Sequence, residues 1–295
     1  MNRVECPGLP ASWLNGWLAA VGVTVLDSRI RLRWTQGRAP VAVLVAREID
    51  PVAALVAAWP DKCKLLDMPL AETWKRAGTL KRRVPVEEFA TRARACRGHR
   101  YCWTLSSTLT DLHVDENGLV VHAPFDPAGP GTIKWLHHRL LKVHARVDVS
   151  AGLVEDSLAG RAARVEDNGL GFDVTRLGSL ADSSSKWIDP VVEVLAFFGL
   201  ALLPVRGKGT EGRSNRFSQI QRGWRVDALR QGSRFRWPVW EQPLDRPGID
   251  ALLDAWRPDD KPSWPLVGVH QGWETLRFKP RGTSDKTRAF AARRL

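Results

Sequence analysis

Residues 187–204 read WIDPVVEVLAFFGLALLP, and this stretch decides the fold. Asp189-Pro190 is a helix start, with proline in the favoured first turn. From Val191 to about Leu203 the Val, Leu and Phe content leaves no polar stripe, so this helix should be buried nearly all round. Such a helix is scaffold rather than a binding face, and its neighbours along the chain must wall it in.

Those neighbours alternate between helical and extended patterns. Toward the amino terminus, Pro10 to Val21 reads as a helix, with Leu14, Trp17, Leu18 and Val21 at helical spacing, Ser12 as cap and Gly22 as stop. Val23–Leu26, Ile30–Trp34 and Val41–Ala46 read as short strands. A helix follows from Pro51 through Ala58, and another is expected from Val86 to Cys96. Thr104 to Val121 reads as extended chain around a turn at Glu116-Asn117-Gly118. A helix from Thr132 to about His144 comes next, then polar loops to Lys186. Beyond residue 204, short strands are expected near Phe235–Trp240, Val267–Val269 and Trp273–Phe278. A helix lies near Ile249–Trp256, and the basic end from Lys279 should fray. This mixed order gives an α+β fold with short, mainly antiparallel strands, in one large or two tightly packed domains. The organisation reads as an α+β region over 1–150 ending in a basic amphipathic helix, a polar connection over 151–185, and a second α+β region over 186–295.

Composition sets the class of partner. The 295 residues are 44% apolar and 26% charged, which is globular. Lys and Arg number 44 against 32 Asp and Glu, a formal charge of +12. Folding does not need that excess, whereas attraction to a polyanion does. No stretch reaches the roughly 20 apolar residues of a membrane span, and Met1–Pro10 lacks the order of a secretory signal. Cys6, Cys63, Cys96 and Cys102 are scattered, without zinc-type spacing, as suits a reducing cytosol. The expectation is a cytoplasmic protein that binds nucleic acid, with no cofactor and no membrane partner.

Two segments carry that expectation. Residues 206–225 read as a basic, Gly-rich mobile loop in which Arg206, Lys208, Arg213, Arg216, Arg222 and Arg225 oppose only Glu211. Trp224 and Phe217 could stack on bases there. The second is Gly129-Pro130-Gly131-Thr132 entering a helix, an end whose free amides favour an anion. Thr132, Lys134, His138 and Lys142 would face the backbone, while Ile133, Leu136, Leu140 and Val143 face the core. A different chemistry is open at Asp111, His113 and Asp115, which share a strand face and could serve a metal-dependent nuclease. His137 and His144 approach one side of their helix, but no metal-site spacing joins them to that group. No G-x-S-x-G elbow and no activated-thiol spacing occurs, so no active site emerges. Of the tryptophans, Trp13, Trp17, Trp59 and Trp187 lie beside apolar runs and read as core. Trp224, Trp237, Trp240 and Trp264, among Arg or Pro, read as partly exposed.

Gly8-Leu9-Pro10-Ala11-Ser12-Trp13-Leu14, continuing to Ala19-Ala20-Val21-Gly22, resembles the start of CRISPR-associated large-subunit proteins. Ala123-Pro124-Phe125 and the run to Gly131 are similar to their aromatic and glycine-rich segment. Residues 187–204, with Phe235-Arg236-Trp237-Pro238-Val239-Trp240 and Pro243-Leu244, resemble the carboxy-terminal half of small subunits from type I-G (formerly I-U) systems. Trp13 stands where those proteins often have tyrosine, and Asn15 and Gly16 replace a basic residue. In these separated pieces, about a third of its length, the chain resembles a compact accessory, large-subunit-like or Cas3-extension family protein of type I-G. That resemblance implies a non-catalytic subunit of an RNA-guided effector complex, or an adaptor to its helicase-nuclease. In such complexes base pairing reads sequence while protein holds backbone and displaced strand. A protein–protein adaptor using exposed tryptophans as anchors is the third class of role.

Overall fold

The computed structural model describes residues 1–62, 65, 83–97, 117–121, 133–167, 169–170, 187–207, 219–227, 232–278, 288–289 and 292–295. In chain order the elements are β1 (Asn2–Pro10), α1 (Leu14–Leu26), β2 (Arg31–Trp34), β3 (Val41–Ala46), α2 (Pro51–Ala57), β4 (Arg83–Pro85) and α3 (Val86–Arg97). Then come β5 (Leu119–Val121), α4 (Ile133–His144), α5 (Ala151–Leu158), β6 (Val165–Glu166), β7 (Trp187–Ile188) and α6 (Pro190–Gly199). The last are β8 (Val205–Gly207), β9 (Gln219–Gln221), β10 (Trp224–Asp227), β11 (Gly232–Trp240), α7 (Arg246–Ala255), β12 (Val269–Phe278), β13 (Arg288–Ala289) and β14 (Arg293–Arg294). Every described strand pairing is antiparallel. The fold is α+β.

At its centre α6 packs on α1, and every residue of both helices is buried. Asp189 caps α6, accepting from the Val191 and Val192 amides at 2.9 and 3.3 Å, and Pro190 occupies the first turn. Two glycines set how closely the helices approach. A Cβ on Gly22 would strike the Leu195 carbonyl oxygen, and one on Gly199 would strike that of Leu18. Read locally, Gly22 is a helix stop. Instead α1 runs through it to Leu26, because the glycine admits the backbone of α6, and Val23–Leu26 is helix rather than strand. The start also moves, since β1 extends to Pro10 and the cap position falls on Trp13 with no side-chain bond.

The three-stranded sheet β1-β3-β2 lies on one side of this pair. Its Cys6, Leu32, Trp34, Ala42 and Leu44 side chains join the core. A second sheet, β10-β11-β12-β13 with β14 also on β12, lies in the carboxy-terminal part. Tryptophan indoles connect the distant segments. Trp17 Nε1 donates to the Pro238 carbonyl (3.0 Å), Trp237 Nε1 to that of Ala11 (2.8 Å) and Trp240 Nε1 to that of Leu32 (3.0 Å). Leu32 and Leu244 exchange two backbone bonds, at 2.8 and 2.9 Å. Trp237 and Trp240 are therefore fully buried, against the expectation of partial exposure, and Trp264 is buried too. Trp17 is core as expected, whereas Trp187 faces outward.

Other departures are local. Residues 151–158 form α5 rather than polar loop, because Ser150 caps it by accepting from the Leu153 amide. Gly118 adopts φ +70°, the conformation the expected Asn117-Gly118 turn requires. The chain end is held at β14 and at the Leu295 amide, which donates to the Gly272 carbonyl at 2.9 Å. Residues 208–218, expected as loop, lie outside the described residues, but both flanks are strands. Arg206 pairs with Ile220 across β8–β9.

Candidate nucleic-acid interface

Arg222 sits in the turn between β9 and β10, and its guanidinium is buried. Its Nη1 donates to the Leu202 carbonyl at 2.9 Å and to Asp250 Oδ1 at 2.5 Å, while Nη2 reaches Asp254 Oδ1 at 2.9 Å. Asp250 and Asp254 are one helical turn apart on α7 and so present a pair of acceptors to one guanidinium. This corrects the expected phosphate contact. Arg222 fastens a strand turn to a helix, and its charge is neutralised internally. The one-turn spacing of Asp250 and Asp254 is the signal in the sequence, but nothing local links it to an arginine in a separate segment. Arg206 lies on β8, and Trp224 and Arg225 lie on β10 opposite Phe235 and Arg234. Lys208, Arg213, Arg216 and Phe217 are outside the described residues.

Lys134, His138 and Lys142 are on α4, and Thr132 is outside the described residues. Lys142 pairs with Asp167, Nζ to Oδ2 at 2.8 Å, and the Asp167 carboxylate is buried. Oδ1 of that aspartate accepts from the Gly169 amide at 3.0 Å. His144 is buried, bonded through Nε2 to the Pro60 carbonyl at 2.7 Å and stacked on Trp59. The end of α4 is thus tied into the molecule. Asp111, His113 and Asp115 lie outside the described residues, and among those described no group of three His, Cys, Asp or Glu could hold a metal. The Cys6 thiol is buried, which pushes its pKa up to about 12, far from a reactive thiolate.

The basic surface that emerges is elsewhere. β2 reads Arg31-Leu32-Arg33-Trp34, and alternation sends Leu32 and Trp34 into the core and the arginines to the other face. In register, Arg31 and Arg3 flank Val45, while Arg33 and Glu5 flank Val43. Arg38 is exposed in the β2–β3 turn, and Arg47 is exposed just after β3. Arg3 pairs with Glu5, and Arg29 with Asp27. Arg31, Arg33, Arg38 and Arg47 make no ion pair among the described residues. The hairpin is held in place, because Gln271 Nε2 donates to the Gly37 carbonyl and Gln36 Nε2 to Glu241 Oε2 at 2.8 Å. The sequence signal is the alternation of arginine with apolar residues in a strand, which differs from the glycine-rich loops expected to meet phosphate.

A second arginine cluster is partly neutralised. Glu274 on β12 is buried, and its carboxylate accepts from Arg234 Nη1 (3.0 Å), Arg236 Nε (2.9 Å) and Arg293 Nε (2.6 Å). Arg236 also reaches Asp259 at 2.5 Å. Burial is the largest influence on Glu274 and would raise its pKa. Hydrogen bonds from Arg293 and Arg236, with their charges, outweigh it and hold the carboxyl below the usual range. Comparison with family models, with curated proteins and with solved structures finds no match.

Proposed function

We propose that the chain is a non-catalytic nucleic-acid-binding subunit or accessory protein of a CRISPR RNA-guided effector complex, acting in the cytoplasm on the phosphate backbone of guide or target. One observation supports it above the rest. The β2–β3 hairpin carries the half-buried Arg31 and Arg33 and the exposed Arg38, with exposed Arg47 just after it, all without ion-pair partners among the described residues, while the chain as a whole carries +12. Guanidiniums held on a packed hairpin suit phosphate oxygens, which accept their paired N–H groups. Arg206 and Arg225 keep their place as phosphate contacts in this reading, and Arg222 does not. No helix among the described residues is long and apolar enough to cross a membrane.

The test is a titration of labelled duplex by fluorescence anisotropy at several salt concentrations. Removing one arginine from a duplex phosphate flattens the slope of log affinity against log salt by about 0.9. Changing Arg31, Arg33, Arg38 and Arg47 together to Ala should flatten it by about 2–4 and weaken unrelated sequences alike. Equal slopes for the two proteins would remove the hairpin from the interface. Capture of type I-G effector subunits by the tagged protein tests the complex, and failure to capture any would refute that part.

A further inference from the structure

Trp187 is exposed, with 52% of its surface open. The β6–β7 register explains its direction. Ile188 pairs with Val165 and is fully buried, so Trp187, opposite Glu166, must point away from the core. Core packing gives no reason for an indole at this place.

Its surroundings do. Arg164, one residue before β6, donates from Nη1 to the Trp187 carbonyl at 3.5 Å. Its guanidinium carbon lies 5.8 Å from the centroid of the half-buried Trp13 ring. The arginine is exposed and forms no ion pair among the described residues, although Asp189 lies near enough to feel its charge. The guanidinium thus lies between the Trp187 backbone carbonyl and the Trp13 ring, and the residue that supplies that carbonyl carries an open indole. Arg161, three residues earlier, is paired with Asp156 and adds no free charge.

We infer that Trp187, with Arg164 and Trp13, forms a stacking site for an unpaired base of single-stranded nucleic acid. The indole supplies the stacking face, and every base has a π-face to offer. Arg164 supplies the cation for the adjoining phosphate. Glu166, opposite Trp187, repels phosphate and directs the strand to the Arg164 side. A base inside a duplex is already stacked and hydrogen-bonded, so the site selects single strands. A protein-binding tryptophan is expected within a ring of packed contacts. Among the described residues its neighbours on β6 and just before it are Glu166 and Arg164, one carboxylate and one guanidinium, which favours the nucleotide. The inference rests on the nucleic-acid reading above, but uses different residues and a different ligand form.

The experiment measures anisotropy of a fluorescein-labelled oligothymidine strand and of a duplex of equal length. Wild type, Trp187→Ala, Trp187→Phe and Arg164→Ala are compared, with melting curves as the folding control. Trp187→Ala should weaken single-strand binding about 5- to 100-fold, equivalent to about 1–3 kcal/mol. Duplex affinity and melting temperature should stay unchanged, Trp187→Phe should keep most of the affinity, and Arg164→Ala should weaken the single strand and reduce its salt dependence. Unchanged single-strand binding by Trp187→Ala, or equal losses on both ligands, would overturn the site while leaving the nucleic-acid reading intact. A changed oligomeric state in that variant would assign the indole to a protein contact instead. No binding of either ligand by wild type would defeat the broader reading itself.

Discussion

Replacing Arg222 with alanine removes its bonds to the Leu202 carbonyl, Asp250 and Asp254 together. The aspartates stay half-exposed and can be hydrated, so the main cost is that of the missing charge-assisted bonds. A destabilisation of about 2–3 kcal/mol is expected, read as a fall in denaturant midpoint with little change in slope. An unchanged midpoint would return Arg222 to the surface. Glu274 makes a pH prediction. Its carboxyl is held below its ordinary range in the folded state, so its stabilisation is present above the unfolded value of about 4.3. It is lost as pH falls through the lower folded value. Glu274→Gln should be less stable than wild type at neutral pH, and the two should converge below about pH 4 in acid melting curves. At this scale sequence context misjudged the indoles. Neighbouring Arg and Pro suggested exposure for Trp237 and Trp240, yet both are buried because each N–H finds a carbonyl in the amino-terminal part.

Two helices and one hairpin decide how the elements fit. Gly22→Ala or Gly199→Ala places a methyl against the carbonyl oxygen of the opposing helix, where no flexible side-chain end can yield. Overpacking commonly costs about 1–3 kcal/mol, and each change here should cost at least the upper end of that range. Gly152→Ala, with nothing within 4 Å, is the control and should be neutral or better. Melting temperatures of the three variants check this, and equal values would mean that the helices do not cross at those glycines. The buried character of α6 was legible in its composition. The role of Gly22 was not, because a glycine reads locally as a stop and only the opposing backbone makes it a contact point.

Across the molecule, one core cluster draws on Trp17, Leu18 and Val21 as well as Val194, Phe197, Trp237 and Trp240. Residues 1–150 expressed alone would leave the inner face of α1 uncovered. Residues 186–295 alone would expose α6 and leave the Trp237 and Trp240 indoles without their carbonyls. Neither fragment should melt cooperatively by itself, and mixing them should restore helical circular dichroism. Two fragments that each unfold cooperatively would mean that the halves fold independently.

The sequence by itself determined the α+β class, the buried α6, strands β2 and β3, the Asp50-Pro51 helix start and the excess of positive charge. These follow from local periodicity, capping chemistry and composition, all of which act within a few residues of one another. The tertiary structure alone decided which arginines are neutralised, since Arg222 meets Asp250 and Asp254 from α7 while Arg31 and Arg33 meet no carboxylate among the described residues. It also decided which tryptophans are buried and that Gly22 is a crossing point rather than an end. Each depends on what the chain brings back from a distant position, and neither charge nor hydropathy along the sequence encodes a neighbour from a far segment of the chain.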